Sequence, residues 1–545
     1  MADSPSGPAD TLPPGLSIGK NSAEADDEFL QSCFIRTPAY DDLTNFDSPR
    51  MIALGRTGAG KTAILNGIQN NFGKISEIDP ISISMEYISN STVLTYLNEV
   101  GADIDLLFQV IWKHVLCVEY IRLRYNVKDQ KKWLVFLSRL EKMISKDERR
   151  AAALTYLQQY EGKFWIAIDE NMKEVMQRIT KKLEGAIGYN ESKASSARDL
   201  TTEEKKEIGV RFRKIVTAEQ LSQLSNLVGL LADDEDKNVK HFILIDRLDE
   251  QWVDDKIRFR MIRALIETLR GFRKIRKLKI VVALRTDVLE RVLQETKDAG
   301  FQREKHDDYA VELKWTPVLL MHMVSERLQH MSNRKLRGVK LTFADLFPRK
   351  IGNQTLAGFI VDRTLHRPRD FLAYVNLCLQ AAEGKKEISA SIVREVEREY
   401  SIGRYGALKD EWATTYPCMP LAIEYFAKFP QPTTLEVLSK GPELQDLVQA
   451  ILIEDQNRRD PFYSFAEAYL LSSENSEFNL VRRMVRVLYR IGAIGVRKSP
   501  EDKIRYAHTD TPTVEDSELV PESSVRFHQM FAPALLGTMA REAAA

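Results

Sequence analysis

The sequence predicts an α/β fold: a parallel P-loop-type sheet with a helical insertion, then a helical lid and a C-terminal winged-helix-like domain. Three patterns predict it. A short apolar run, Met51–Leu54, leads directly into a glycine-rich segment and then into helical spacing at Ala63, Ile64, Leu65 and Ile68. Two continuous apolar runs, His241–Ile245 and Lys279–Leu284, read as strands buried on both faces, with an amphipathic helix at Ile257–Arg270 between them. After Trp315-Thr316-Pro317 the spacing is helical to about Glu383.

In chain order, residues 1–28 are rich in Pro, Gly, Ser and acids and are expected to be a disordered tail. Residues 29–100 form the first part of the sheet domain, with a second strand expected at Pro80–Met85, where apolar and polar residues alternate. Residues 101–236 are expected to be a helical insertion. They show helical periodicity at Asp105–Tyr125 and Lys132–Ile144, then mixed charge from Lys146 to Arg213. Residues 237–315 complete the sheet domain, ending on an edge strand at Ala310–Lys314. Residues 316–385 are the lid. Residues 386–545 close the chain with a helix at Asn479–Arg490, strands at Ala493–Lys498 and Ile504–His508 around a polar turn, and a final stretch at Ser524–Gln529.

Composition narrows the class. At 545 residues and 44% hydrophobic, the chain can bury several cores. Lys plus Arg and Asp plus Glu both number 78, so any attraction to nucleic acid or an anionic membrane must come from a local patch. Cys33, Cys117, Cys378 and Cys418 form no Cys-x-x-Cys pair, which argues against a zinc site or disulfide framework. The N-terminus has no apolar signal core, and Leu106–Ile121, the most apolar helix candidate, carries Lys113, His114 and Glu119. A cytoplasmic protein without membrane contact is expected.

The segment Gly55-Arg56-Thr57-Gly58-Ala59-Gly60-Lys61-Thr62 has the Gly-x-x-x-x-Gly-Lys-Thr spacing of a phosphate-binding loop. Glycines allow backbone conformations that a Cβ forbids, so the loop amides and the next helix N-terminus can face phosphate. ATP is the expected ligand. Lys61 would reach its β- and γ-phosphates, and the Thr62 hydroxyl would ligate Mg²⁺. Asp246, at the carboxyl end of an apolar strand, is the expected Mg²⁺-linked carboxylate. Glu250, with Asp249 close behind, is the expected base for the attacking water; capping the next helix or pairing with Arg247 is the competing role. Arg285, ending the next strand, is placed to read the γ-phosphate, unless it serves in a salt bridge to Asp287 or Asp249. Arg367 and Arg369 flank Pro368 at a helix start and are candidates to reach the nucleotide from the lid.

Four motifs together resemble the STAND and KAP-like ATPases of the AAA-related (ASCE) class. They are Gly55–Thr62, Ile243-Leu-Ile-Asp-Arg-Leu-Asp-Glu250, Val281-Val-Ala-Leu-Arg-Thr-Asp287 and His366-Arg-Pro-Arg-Asp370. The resemblance spans about Phe29 to Gln380, the insertion excepted. It implies a Walker A loop, a Walker B strand with its second acid displaced, a sensor arginine at Arg285 and a helical lid. Position 247 is Arg where AAA+ hydrolases carry Glu, which shifts the catalytic role to Asp249 or Glu250. Relatives of this kind in bacteria often act as ATPase switches in phage defence beside a separate effector.

Two basic features suggest a nucleic-acid surface. Arg482, Arg486 and Arg490 form a stripe on the helix of the winged-helix outline, and Arg270–Lys279 is a basic run before a strand, on the sheet edge opposite the nucleotide. Solvated basic faces are the simpler reading of both. The expected function is an ATP-binding and ATP-hydrolysing switch, homo-oligomeric, that gates assembly or a separate effector. The alternatives are a DNA-binding ATPase resembling origin-recognition or transposition helpers and a non-hydrolysing, nucleotide-locked scaffold.

Overall fold

The computed structural model describes residues 11–81, 104–125, a few positions between 202 and 210, 222–232, 239–250, 252–296, 307–335, 342–455, 460–471 and 476–536. The chain divides into two compact units. One comprises Arg36–Arg56 and Lys61–Leu313; the other comprises Met1–Ile35, Thr57–Gly60 and Lys314–Ala545.

The first unit is a five-stranded sheet flanked by helices. Its strands are β1 (Ile52–Gly55), β2 (Ile75–Ile78), β3 (His241–Ile245), β4 (Leu278–Arg285) and β5 (Ala310–Glu312), in the order β2-β3-β4-β1-β5. Every pairing is parallel. All five residues of β3 and the first seven of β4 are buried, which is why they read as continuous apolar runs. Helix α1 (Lys61–Asn71) follows β1, and α2 (Asp105–Tyr125), α3 (Ser222–Ala232) and α4 (Asp255–Phe272) pack in one core with β3 and β4. Trp112 of α2 is fully buried, and its indole N–H donates to the Met261 carbonyl of α4 at 2.9 Å.

Two expectations change here. Strand β2 lies at Ile75–Ile78, and of the expected strand Pro80–Met85 only Pro80 and Ile81 are among the described residues, in a turn. Ile-Ser-Glu-Ile is too short to stand out by alternation; its pairing with β3 defines it. Helix α2, expected as part of an insertion, is a layer of the sheet domain itself, because its apolar face is covered by α4. Most of residues 126–221, including Lys132–Ile144, lies outside the described residues.

Lys279 on β4 is only 2% exposed. Its ammonium donates to the carbonyls of Asn45 and Ser48, at 2.7 and 2.8 Å. Burial, with Arg273 adding to it, lowers its pKa to about 8. A base depressed in the fold costs stability while it is protonated, so stability should rise between about 8 and the ordinary 10.5. Lys279→Met should remove that rise; denaturant midpoints measured at steps above pH 8 check it.

The second unit is mainly helical. It includes α5 (Pro317–Lys335), α6 (Pro368–Ala381), α7 (Glu397–Trp412) and α8 (Glu477–Arg490). The stretch expected as a disordered tail, 1–28, is corrected from residue 11 onward. Leu12, Leu16 and Ile18 are buried in this unit's core, and buried Asp26 pairs with Arg327 of α5 at 2.7 Å. Only three well-spaced apolar residues anchor the segment, so its composition resembles that of a tail.

Helix α8 leads into an antiparallel sheet of β6 (Thr433–Thr434), β7 (Ile494–Arg497) and β8 (Ser524–Phe527), in the order β6-β8-β7. The expected strand Ile504–His508 is replaced by a single bridge, Val496 to Arg505, and β8 is the true partner of β7. The intervening loop returns with β8 in full register, Val525 opposite Val496, burying both.

Candidate functional site

In the first unit, the carboxyl ends of β1, β3 and β4 carry the expected residues. Strand β4 lies between β1 and β3, and Gly55 stands opposite Arg285 in the register. Asp246 follows β3. Its Oδ2 accepts the Thr62 hydroxyl at 3.1 Å, and its Oδ1 accepts the Arg247 backbone N–H at 2.8 Å. Burial raises the Asp246 pKa, opposed by those two hydrogen bonds, while Asp249 raises it further and Lys61 lowers it. Arg247 adopts a left-handed φ of 59°, a conformation that costs a non-glycine residue roughly 1–3 kcal/mol. That twist turns its N–H onto Asp246.

Lys61 opens α1, and its Nζ donates to the carbonyls of Gly55 and Arg56, both at 3.0 Å. A cation at a helix N-terminus opposes the macrodipole, and the first turn of α1 holds no acid. The positive end of α1 is thus left facing the loop, a field suited to an anion.

Asp249 pairs with Arg285 at 3.3 Å, and Arg285 is also held by both carboxylate oxygens of Asp287, at 3.0 and 2.7 Å. Glu250 lies 3.8 Å from Arg247, with both side chains about half exposed. The turn carrying Asp249 and Glu250 is fixed by Arg258, which no sequence motif singles out. Buried Arg258 on α4 donates to the Asp249 and Glu250 carbonyls at 3.0 and 2.9 Å and pairs with Asp255. One arginine among several on an amphipathic helix gives no sequence signal of this kind.

In the second unit, the loop apex Thr57–Gly60 sits in a cradle. Gly58 and Gly60 have φ of 78° and 96°. A Cβ on Gly58 would come within 2.9 Å of the Arg369 Cβ, so both conformation and space require glycine there. Trp315 Nε1 donates to the Ala59 carbonyl at 2.9 Å. Arg367 donates to the Thr57 carbonyl at 3.2 Å, and the Thr57 N–H donates to Glu411 at 3.3 Å.

Arg367 and Arg369 are engaged with protein groups. Arg367 is buried between Asp370, at 2.8 Å, and Glu411, at 3.1 Å; burial opposes its charge but the two carboxylates prevail. Asp370, fully buried, also pairs with Arg404 at 3.2 Å. Arg369 donates through Nε to the Asn21 carbonyl at 3.0 Å. Both arginines contact or adjoin the loop apex as part of its support. Glu411 and Trp315 complete that support and were missed in the sequence, since neither belongs to a recognisable motif.

On α8, Arg486 pairs with Asp516 at 2.9 Å and Arg482 approaches the same carboxylate at 3.8 Å. The acidic loop before β8 thereby sets a carboxylate beside two residues of the basic stripe, which stay partly exposed. Among the described residues, no group of three or more His, Cys, Asp or Glu is arranged to hold a metal ion, and no helix is long and apolar enough to cross a membrane. The oxygen pair of Thr62 and Asp246 suits Mg²⁺, which takes few protein ligands and draws the rest from phosphate and water.

Residues 319–409 match the model of the FunZ-associated C-terminal helical domain. The match begins in α5 and ends in α7, across the boundary at 385/386 expected from the sequence. No curated protein and no solved structure matches the chain.

Proposed function

We propose that the chain is an ATP-binding switch that hydrolyses ATP with Mg²⁺ and thereby gates self-assembly or a separate effector. The observation that carries this reading is the 3.1 Å hydrogen bond between the Thr62 hydroxyl and Asp246, at the carboxyl edge of a parallel sheet and beside the N-terminus of α1. In this reading Thr62 and Asp246 hold Mg²⁺, which when bound neutralises charge on the phosphates. Lys61 exchanges its two carbonyl acceptors for phosphate oxygens. Glu250 is the favoured proton acceptor, because Asp249 is committed to Arg285 whereas Glu250, among the described residues, has only the half-exposed Arg247 at 3.8 Å as an ion-pair partner. Arg285 is poised by Asp249 and Asp287 to respond when charge changes nearby.

FunZ is a defence-associated family, and the match to residues 319–409 supports a defence-related setting for the switch. The DNA-helper reading loses support at Arg482 and Arg486, whose charges meet Asp516.

Asp246→Asn should lower Mg²⁺-dependent ATP turnover by about 10²-fold or more, the scale expected for losing a charged group at a phosphoryl-transfer site. Glu250→Gln should retain ATP binding and abolish turnover. Wild-type protein that binds ATP without turning it over would favour the nucleotide-locked scaffold. Absence of ATP binding by calorimetry would reject the proposal outright.

A further inference from the structure

At the opposite, N-terminal edge of the sheet lies an open cavity of about 1390 Å³, lined entirely by residues of the first unit. Lysines stand immediately before three neighbouring parallel strands: Lys74 before β2, Lys240 before β3 and Lys277 before β4. The backbone register sets Lys240 level with Lys277, and Lys74 level with His241, one residue further along. Adjacent strands are about 4.8 Å apart, so the three lysines stand close together on one edge, and all three line the cavity. The turn between α4 and β4 adds Arg273, Lys274 and Arg276, all exposed, and α2 adds Arg124 near its end. Among the described residues, Asp47 is the one acid in the lining.

A structural reason for these cations falls short. The C-terminal ends of α2, α3 and α4 meet this edge, and each carries roughly half a negative charge. Three such ends offset fewer than two of seven cations. Among the described residues, Lys74, Lys240, Lys277 and the three cations of the turn make no ion pair. Lys240 and Arg273 instead lie over the rings of Phe46 and Tyr309, at 5.0 and 5.6 Å. The cavity exceeds the roughly 300–1,000 Å³ of a small-molecule site, and its lining mixes seven cations with apolar groups such as Leu231, Val239 and Ile275 where such sites are predominantly apolar, so a polymer fits better than a metabolite.

We infer that this edge is a groove for the phosphodiester backbone of a nucleic-acid strand, bound without sequence preference. Phosphates would lie along the cations of this edge, and Phe46 offers one half-buried aromatic edge to a base. The groove is separate from the Thr62–Asp246 edge, so it stands or falls independently of ATP hydrolysis.

The test is fluorescence anisotropy of the full chain with labelled 20-mer oligo-dT and oligo-U at 50 and 200 mM salt. Contact with about four phosphates predicts a roughly 50-fold loss of affinity across that range. The combined variant Lys240→Ala, Arg273→Ala, Lys274→Ala, Arg276→Ala changes exposed residues only and should weaken binding at least 10-fold. Arg482→Ala with Arg486→Ala should leave it unchanged. Binding of either oligonucleotide with this pattern supports the groove, and a preference for one identifies the sugar.

The inference is overturned by no binding at 50 mM salt, by binding indifferent to the four-residue variant, or by tighter binding to phosphatidylserine vesicles than to oligonucleotide. It is also overturned if binding appears only after neutralising Asp233, Asp234, Glu235 and Asp236, the acids in the sequence between lining residues Ala232 and Val239. That result would assign the cations to the chain's own carboxylates.

Discussion

Asp370→Ala should destabilise the C-terminal unit by about 3–5 kcal/mol, the cost of removing one partner from a buried ion network. Asp370 has no exposed surface. It holds Arg367 at 2.8 Å and Arg404 at 3.2 Å, and it accepts the Leu365 N–H at 3.3 Å. Alanine leaves Arg404 without that carboxylate, Arg367 with Glu411, and an amide without its acceptor. Denaturant midpoints followed by tryptophan fluorescence provide the measurement, since Trp315 and Trp412 lie in this unit.

Two companion variants separate lost charge from lost shape. Asp370→Asn keeps the volume and should fall between wild type and alanine. Asp370→Leu combined with Arg367→Met, Arg404→Met and Glu411→Met should recover part of the loss, because well-packed apolar side chains replace buried ions at little net cost; Glu411 is included because it would otherwise be left without Arg367. The pH dependence follows from the same ion pairs. Burial alone would raise the Asp370 pKa, but Arg367 and Arg404 hold it below the ordinary 3.8. An acid depressed in the fold stabilises it above the ordinary value, and that contribution disappears as pH falls through the lowered one. The stability difference between wild type and Asp370→Ala should therefore shrink in strong acid.

Lys61→Met should reduce ATP affinity and turnover by about 10²-fold while leaving the melting temperature nearly unchanged. Hydrogen bonds to charged groups contribute roughly 1.5–3 kcal/mol each, and every 1.4 kcal/mol is tenfold. Methionine cannot donate to either the β- or the γ-phosphate, and the absence of both hydrogen bonds gives the expected factor. Stability is expected to hold because Lys61 is half-buried at the N-terminus of α1, where a cation opposes the helix dipole. In the fold it serves the Gly55 and Arg56 carbonyls. Lys61→Arg should not restore affinity, since a planar guanidinium cannot act as a compact point charge in a loop shaped around an ammonium. Calorimetric titration with ATP and Mg²⁺ checks both variants; wild-type affinity in Lys61→Met would remove the phosphate role from this loop.

Much of the sheet was legible because its information is local. Strand β3 occupies the five residues its apolar run predicted, and α4 extends the amphipathic pattern by two residues at each end. Strand β2 was not legible, because Ile75–Ile78 becomes a strand through pairing with Phe242–Ile245. The N-terminal segment misled for a similar reason. Leu12, Leu16 and Ile18 are inconspicuous in a Pro- and Gly-rich stretch, yet they are buried against a core more than three hundred residues away in sequence.

At the candidate site, the sequence by itself determined which groups share the carboxyl edge. A buried parallel strand must end near its neighbours' ends, so Gly55, Asp246 and Arg285 had to converge. Only the tertiary structure decided what each charge does there. It tied Asp249 to Arg285, enclosed Arg367 with Asp370 and Glu411, set Asp516 beside Arg482 and Arg486, and gathered seven cations on the opposite edge. Backbone pattern follows from hydrophobic periodicity, which is written along the chain. The partner of a long charged side chain depends on which distant segment brings an opposite charge within a few ångströms, and only the packed fold sets that distance.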